Sequence, residues 1–193
     1  MILPSPEIWH RDDFAYLCVW RRLYRAVEVG VDRGEFASVF LSRWIGNEYW
    51  GVDDYQPYPE MDYDRTADFF FAVERLKPHA GRVKLVKRGS VAASRLFDDG
   101  SVDFIYIDGA HDYASVRADL DAWYPKLSDR GILAGHDFDN QPGHAGVRRA
   151  VTEFAGEIGR DVYLTAVEGY HREECPSWYL YRSGMPGPGW RRC

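Results

Sequence analysis

Apolar positions along the chain come in two patterns that alternate almost without a break. Short continuous runs at Ala26 to Gly30, Tyr49 to Val52, Val83 to Lys87, Val102 to Ile107, Gly131 to Ala134, Val162 to Val167 and Trp178 to Tyr181 predict strands. Between them, apolar residues recur at helical spacing. That spacing predicts helices from Asp12 or Asp13 to about Arg25, Glu35 to Trp44, Thr66 to Leu76, Val91 to Leu96, Tyr113 to Leu127 and Gly146 to Ile158. Phe14, Leu17, Cys18 and Tyr24 would form the inner face of the first helix, and Phe36, Val39, Phe40 and Ile45 that of the second. The run Val-Asp-Phe-Ile-Tyr-Ile at Val102 to Ile107 is apolar enough to be buried on both faces, the mark of a central parallel strand. Strands alternating with helices predict an α/β fold: a doubly wound, mostly parallel, seven-stranded sheet with helices on both faces and ligand sites at the carboxyl ends of its strands. Residues 1–10 read as a Pro-containing arm and residues 184–193, with Pro186 and Pro188 among glycines, as a loose tail.

At 193 residues the chain suits a single domain with a full core. Hydrophobic residues make up 46% and charged residues 28%, which excludes a wholly disordered chain. A formal net charge of -6 argues against a broad nucleic-acid footprint, which needs clustered positive charge. The three cysteines, Cys18, Cys175 and Cys193, have no Cys-x-x-Cys spacing, so neither a disulfide framework nor a zinc knuckle is indicated. Met1 to Val19 lacks the basic start and apolar block of an export leader, and a cytoplasmic location is expected.

Two stretches carry candidate chemistry. In Val27 to Ser38, a strand ends in Glu28-x-Gly30-x-x-x-Gly34 and turns helical. Gly30 allows a tight turn, Gly34 allows close backbone approach, and the amides that open the helix can receive an anionic group. Asp53 closes the next strand, where a carboxylate can accept hydrogen bonds from two ribose hydroxyls, and Gly89 with Ser90 follows the third strand, in position to meet an adenine edge. The second stretch runs from Val102 to Phe138. Two neighbouring strands there each end in an Asp and His group, Asp108 with His111 and His136 with Asp137, so four titratable groups converge on one rim.

The series Glu28-x-Gly30-x-x-x-Gly34, Asp53, Asp108-Gly-Ala-His111-Asp-Tyr113, Gly131-Ile-Leu-Ala-Gly-His136-Asp137-Phe138 and Gly146-Val-Arg-Arg-Ala-Val resembles the class I S-adenosylmethionine-dependent methyltransferases of the subgroup with Asp-Gly-x-His-x-Tyr and Gly-His-Asp motifs. The resemblance covers about residues 20–182. It implies the Rossmann-like methyltransferase fold and S-adenosylmethionine as cofactor, held by Glu28, Gly30, Gly34, Ser38, Asp53, Ser90 and Asp108. The catechol, caffeoyl-coenzyme A and sugar O-methyltransferases of this superfamily carry a divalent cation at the same strand ends. By that resemblance Asp108, His136 and Asp137 fall on metal-ligand positions, and His111 falls where the catechol type has its lysine base. Two departures stand out: Phe138 replaces the asparagine of the catechol type, and His136-Asp137 replaces the paired aspartates of the sugar enzymes. A histidine ligand would favour manganese or iron over magnesium.

The expected activity is methyl transfer to the hydroxyl of a small molecule, with His111 and Asp108 as catalytic residues and His111 as the general base. Tyr55, Tyr58 and His144, from the segments 54–65 and 139–145, are expected near the acceptor. Two alternatives stay open: a catalytically silent module that keeps the fold, and a cation-dependent hydrolase or hydroxylase using the Asp and His cluster. The expected partner is a small-molecule acceptor, with no nucleic acid and no membrane, and a homodimer is left open.

Overall fold

The apolar run at Val102 to Ile107 lies in the interior of the sheet. In a computed structural model, which describes residues 2–4, 8–57, 65–139, 145–165 and 175–183, the chain forms β1 (Ile2–Pro4), α1 (Phe14–Arg21), β2 (Arg25–Val29), α2 (Glu35–Arg43), β3 (Glu48–Asp53), α3 (Thr66–Leu76) and β4 (Val83–Lys87). It continues through α4 (Ser90–Ser94), β5 (Val102–Ile107), α5 (Tyr113–Trp123), β6 (Leu127–Gly135), α6 (Ala145–Glu157), β7 (Val162–Leu164) and β8 (Trp178–Tyr181). The strand order is β1-β7-β8-β6-β5-β2-β3-β4. All pairings are parallel except those of β8, which runs antiparallel to both β6 and β7. The seven expected strands are joined by an eighth, β1, which pairs in parallel with β7, so part of the proline-containing arm belongs to the sheet edge.

Two cores flank the sheet, as the double winding requires. One gathers Val27, Ile105, Leu133, Trp178 and Leu180 from the strands against Val116, Leu120 and Trp123 of α5 and Val147, Val151 and Phe154 of α6. The other packs Phe14 and Leu17 of α1 and Phe36 and Phe40 of α2 onto Ala26, Tyr49, Phe104, Tyr106 and Tyr179. It is unusually aromatic: Phe36 stacks on Tyr106 with ring centroids 4.0 Å apart, and Phe40 on Phe104 at 5.2 Å.

Several boundaries differ from those expected, each for a local reason. The first helix ends at Arg21 because Arg22 adopts a left-handed conformation, and Tyr24, expected on the inner face, lies beyond that end and is exposed. Its N-terminus opens with a short 3-10 turn capped by His10, whose side chain accepts from the Asp12 amide. The second helix buries Phe36, Ala37, Phe40 and Leu41; Ile45 falls past its end and points to solvent. The helix expected to run to Leu127 stops at Trp123, because Pro125 turns the following residues into a 3-10 segment. The freed residues let β6 begin at Leu127, with a register irregularity opposite Val102 and Phe104. No described helix is long and apolar enough to cross a membrane. The tail at 184–193 lies outside the described residues.

Candidate active site

The carboxyl ends of β2, β3, β4 and β5 open onto a cleft of about 370 Å³. Gly30, just past β2, makes it possible: its φ is +88°, and a Cβ there would stand 1.9 Å from the Asp108 carbonyl oxygen. Asp53 and Asp54 line the cleft from the end of β3, Gly89 and Ser90 from the end of β4, and Gly109 with Ala110 from the loop after β5. Ser115, Ala118 and Asp119 of α5 face it from the side.

Asp53 is 6% exposed and already well supplied with donors. One carboxylate oxygen accepts from the Tyr55 amide at 2.7 Å, and the other from the Asp32 amide at 3.0 Å and the Arg65 guanidinium at 3.2 Å. Arg65 is itself 3% exposed, and Asp68 and Asp32 lie within 4 Å of it as well. A guanidinium cannot be deprotonated in a protein, so the donor that Arg65 offers to Asp53 is a permanent cation.

The other expected binding residues are distributed less simply. Glu28 does not face the cleft: it is 2% exposed and accepts a short hydrogen bond from the Tyr49 hydroxyl. Burial pushes its carboxyl well above the usual carboxylate range despite that bond. Gly34 takes the left-handed conformation that opens α2, and its close neighbours are Leu76 and Ala72 of α3. Ser38 lies on α2, one turn beyond Gly34, whose carbonyl its amide bonds. Tyr55 turns away from the cleft, its ring packing on Phe69 and under the Arg65 guanidinium. Tyr58 and His144 lie outside the described residues.

At the adjoining rim, β5 and β6 run side by side with Ile107 opposite Gly135, which brings the two Asp and His groups together. His111 Nε2 lies 3.0 Å from Asp137 Oδ2, and His136 Nδ1 lies 3.0 Å from Asp137 Oδ1. Burial alone would raise the Asp137 carboxyl, but the two imidazoles outweigh it and hold the group well below the usual carboxylate range. The same contact raises the His111 imidazole, whose strongest influence is its hydrogen bond to Asp137. Asp108 is pushed upward by burial and lies 3.6 Å from Arg11 of the N-terminal segment. Asp137 holds this arrangement with a φ of +59°, a left-handed backbone that non-glycine residues seldom adopt and that clusters at functional sites. Gly146 locks the start of α6 against it, since a Cβ there would stand 2.3 Å from the His111 carbonyl oxygen.

One expected grouping is redrawn. The ligand atoms that converge to within 4.8 Å of one another belong to Asp108, His111 and Asp137. His136, expected as a ligand in place of His111, is outside that set; it supports Asp137 from the other side. Two residues had no role assigned from the sequence: Asp119, which lines the cleft, and Arg65, the ion-pair partner of Asp53. Asp119 falls between Val116, Leu120 and Trp123 on the buried face of α5, so its spacing alone marked it as an inward carboxylate. Arg65, in the acidic stretch Asp-Arg-Thr-Ala-Asp, carried the weaker signal of a lone cation ahead of a helix.

A doubly wound sheet, parallel except for β8, with a glycine-lined cleft at its strand ends, is the Rossmann-like methyltransferase fold of the solved structures that superpose on it. The chain belongs to the methyltransferase-domain family, whose model matches residues 27–138, more than half of the chain. S-adenosylmethionine is the methyl donor expected of that family. Among solved structures, a Corynebacterium glutamicum protein superposes with a TM-score of 0.68 at 12% identity, covering 95% of this chain and 85% of that one. A Staphylococcus aureus protein assigned as a caffeoyl-CoA O-methyltransferase gives 0.65 at 12% identity, over 93% and 86% of the two chains. The cofactor-bound Rv0187 of MTB gives 0.65 at 17% identity, over 94% and 84%. By sequence, the uncharacterised protein y4gI of Sinorhizobium fredii is 26% identical over 135 residues, 68% of this chain. The chain spans about 15% of that relative's length.

Proposed function

We propose that the chain transfers the methyl group of S-adenosylmethionine to the hydroxyl of a small molecule, with His111 as general base. The observation that carries this reading is the His111–Asp137 contact at 3.0 Å on the rim beside the cleft. Displacement at a sulfonium methyl needs the nucleophile in line and relieved of its proton. An imidazole with one nitrogen held by a carboxylate is fixed in orientation, and the imidazolium formed on proton uptake is stabilised by the same charge. The cofactor's ribose would meet Asp53, whose carboxylate keeps about one of its four lone-pair sites beyond the three bonds already made, and its base would meet Gly89 and Ser90. Gly30 and Gly109 give backbone access for the amino-acid portion, with Asp108 beside it.

A second reading is favoured by the convergence of Asp108, His111 and Asp137. Two carboxylates and an imidazole fit a divalent cation, manganese or iron better than magnesium. Such an ion would lower the pKa of the acceptor hydroxyl and fix its orientation. His111 would then serve as a ligand.

Calorimetry with S-adenosylhomocysteine tests the cofactor; no binding at millimolar ligand overturns the reading. A panel of phenols, catechols and sugar hydroxyls with methyl-labelled S-adenosylmethionine then tests the transfer. His111→Ala should lower turnover by about 10²- to 10⁴-fold while leaving S-adenosylhomocysteine affinity nearly unchanged. The two readings separate on chelation. Turnover that survives exhaustive EDTA leaves His111 as the base, and turnover that returns only with manganese or iron(II) assigns it to the ion.

A further inference from the structure

The strand order fixes which way a nucleoside must lie in the cleft. The titratable rim is at the ends of β5 and β6, and Asp53 ends β3, two strands away in the order β6-β5-β2-β3-β4. A cofactor with its methyl group at the rim and its ribose at Asp53 therefore projects its base onward, toward the end of β4. What waits there is Gly89, Ser90 and Val91 on one side and Asp119 of α5 on the other.

Asp119 is an unusual residue to find on that wall. It is 6% exposed and occupies the core-facing side of α5, between Val116 and Leu120. The Ser90 hydroxyl, which accepts from the Trp123 indole at 2.8 Å, donates to the Asp119 carboxylate. The other side of the carboxylate reaches toward the loop after β5, 4.0 Å from where a Cβ on Gly109 would stand. One serine hydroxyl satisfies one of about four lone-pair sites, and the carboxylate lines the cleft with the remainder. A buried carboxylate can only accept, so it calls for a donor, and the exocyclic amine is the donor on the edge of adenine.

We propose that Asp119 accepts a hydrogen bond from the 6-amino group of the cofactor's adenine and thereby sets the specificity of the site for that base. The assignment rests on the S-adenosylmethionine reading above. In it Ser90 is a positioning residue that orients the carboxylate, and Trp123 in turn orients Ser90. A 6-oxo purine would bring a carbonyl oxygen against the same carboxylate, and a purine with hydrogen at position 6 would leave it without its donor.

The test compares two ligands by calorimetry: S-adenosylhomocysteine and its analogue in which hydrogen replaces the 6-amino group. The wild-type chain should favour the adenine compound by about tenfold or more, since deleting a donor opposite a buried acceptor is penalised heavily. Asp119→Ala should bring the ratio of the two affinities close to one, chiefly by weakening the adenine compound. Asp119→Ser, a smaller polar replacement, makes the same prediction and covers the case in which the alanine variant fails to fold. If the wild type binds neither ligand, the cofactor reading itself fails. If it binds both equally, or if the variants weaken both by the same factor and keep the ratio, Asp119 only anchors α4 and the proposal is overturned.

Discussion

Asp53 and Asp137 are both carboxylates at strand ends, and both receive donors on each oxygen, yet the donors differ in kind. Asp53 is bound by two backbone amides and a buried guanidinium, none of which titrates in the working range. Asp137 is bound by two imidazoles, which do. The same side chain in the same topological position thus faces fixed donors in one half of the site and titratable ones in the other. The donor's pKa makes the difference, and it matches the division of labour proposed for the two halves: one holds a ligand in place, the other handles a proton.

Removing the permanent donor should break the first half most severely. Arg65→Met deletes the guanidinium shared by Asp53 and Asp68, both almost fully buried, and leaves Asp68 only Arg33 as its ion-pair partner among the described residues. We expect a loss of about 3 to 5 kcal/mol in urea unfolding, the usual penalty for leaving buried charge uncompensated. Arg65→Lys should recover only part, because a single ammonium cannot span three carboxylates as the planar fork does. A loss under about 1 kcal/mol for Arg65→Met would mean that the backbone amides alone hold Asp53 and that the guanidinium is incidental.

Glu28 sits on β2 between the two halves, and it tests whether the contrast extends below the surface of the cleft. Its carboxyl is raised by burial, and among the described residues the side chain that donates to it is the Tyr49 hydroxyl. Tyr49→Phe removes that donor at nearly constant shape and should lower unfolding stability by about 2 kcal/mol. S-adenosylhomocysteine affinity should change little, because Glu28 is turned into the aromatic core and away from the cleft. A large loss of affinity at unchanged stability would return Glu28 to the ligand.

How much of this was legible in the sequence follows the range of the interactions involved. The strands Val83–Lys87, Val102–Ile107 and Trp178–Tyr181 and the helix Thr66–Leu76 have the expected bounds, because a continuous apolar run or a helical stripe is a local signal. The meeting of Asp108, His111 and Asp137 was legible too, since parallel neighbours must end side by side. What was not legible depends on orientation. Glu28 and Asp53 both lie at or next to the carboxyl end of a strand, and the sequence does not say that one faces Tyr49 and the other the cleft. That His111 rather than His136 joins the converging set depends on where each imidazole points, which local sequence does not carry. Arg65 acts on residues 12 and 33 positions away, and such pairings come from the closed tertiary fold.

The smallest expected effect sharpens the contrast most. Asp119 lies in the ligand-holding half, but no cation pairs with it among the described residues: burial pushes its carboxyl up to about 6, and the Ser90 hydrogen bond only moderates the shift. The unfolded chain ionises near the ordinary value of 3.8, so between that pH and about 6 the unfolded state gives up its proton while the folded state keeps it. Stability must therefore fall as pH rises through this window, and above it the full penalty for a buried anion applies. Asp119→Asn is neutral at every pH and keeps the shape. It should stabilise the ligand-free protein by roughly 1 to 3 kcal/mol at pH 8, with the gain shrinking below pH 6 and nearly gone by about pH 4. Paired urea titrations of the two proteins at those three values measure it, and acid effects common to both cancel in the difference. A gain that is flat with pH would show that Asp119 never carries a charge in the folded state. A loss at pH 8 would show that the apo carboxylate is already compensated and belongs with Asp53 among the locked groups. The expected result instead marks Asp119 as a carboxylate kept at a stability cost, which is the pattern of a residue retained for what it binds.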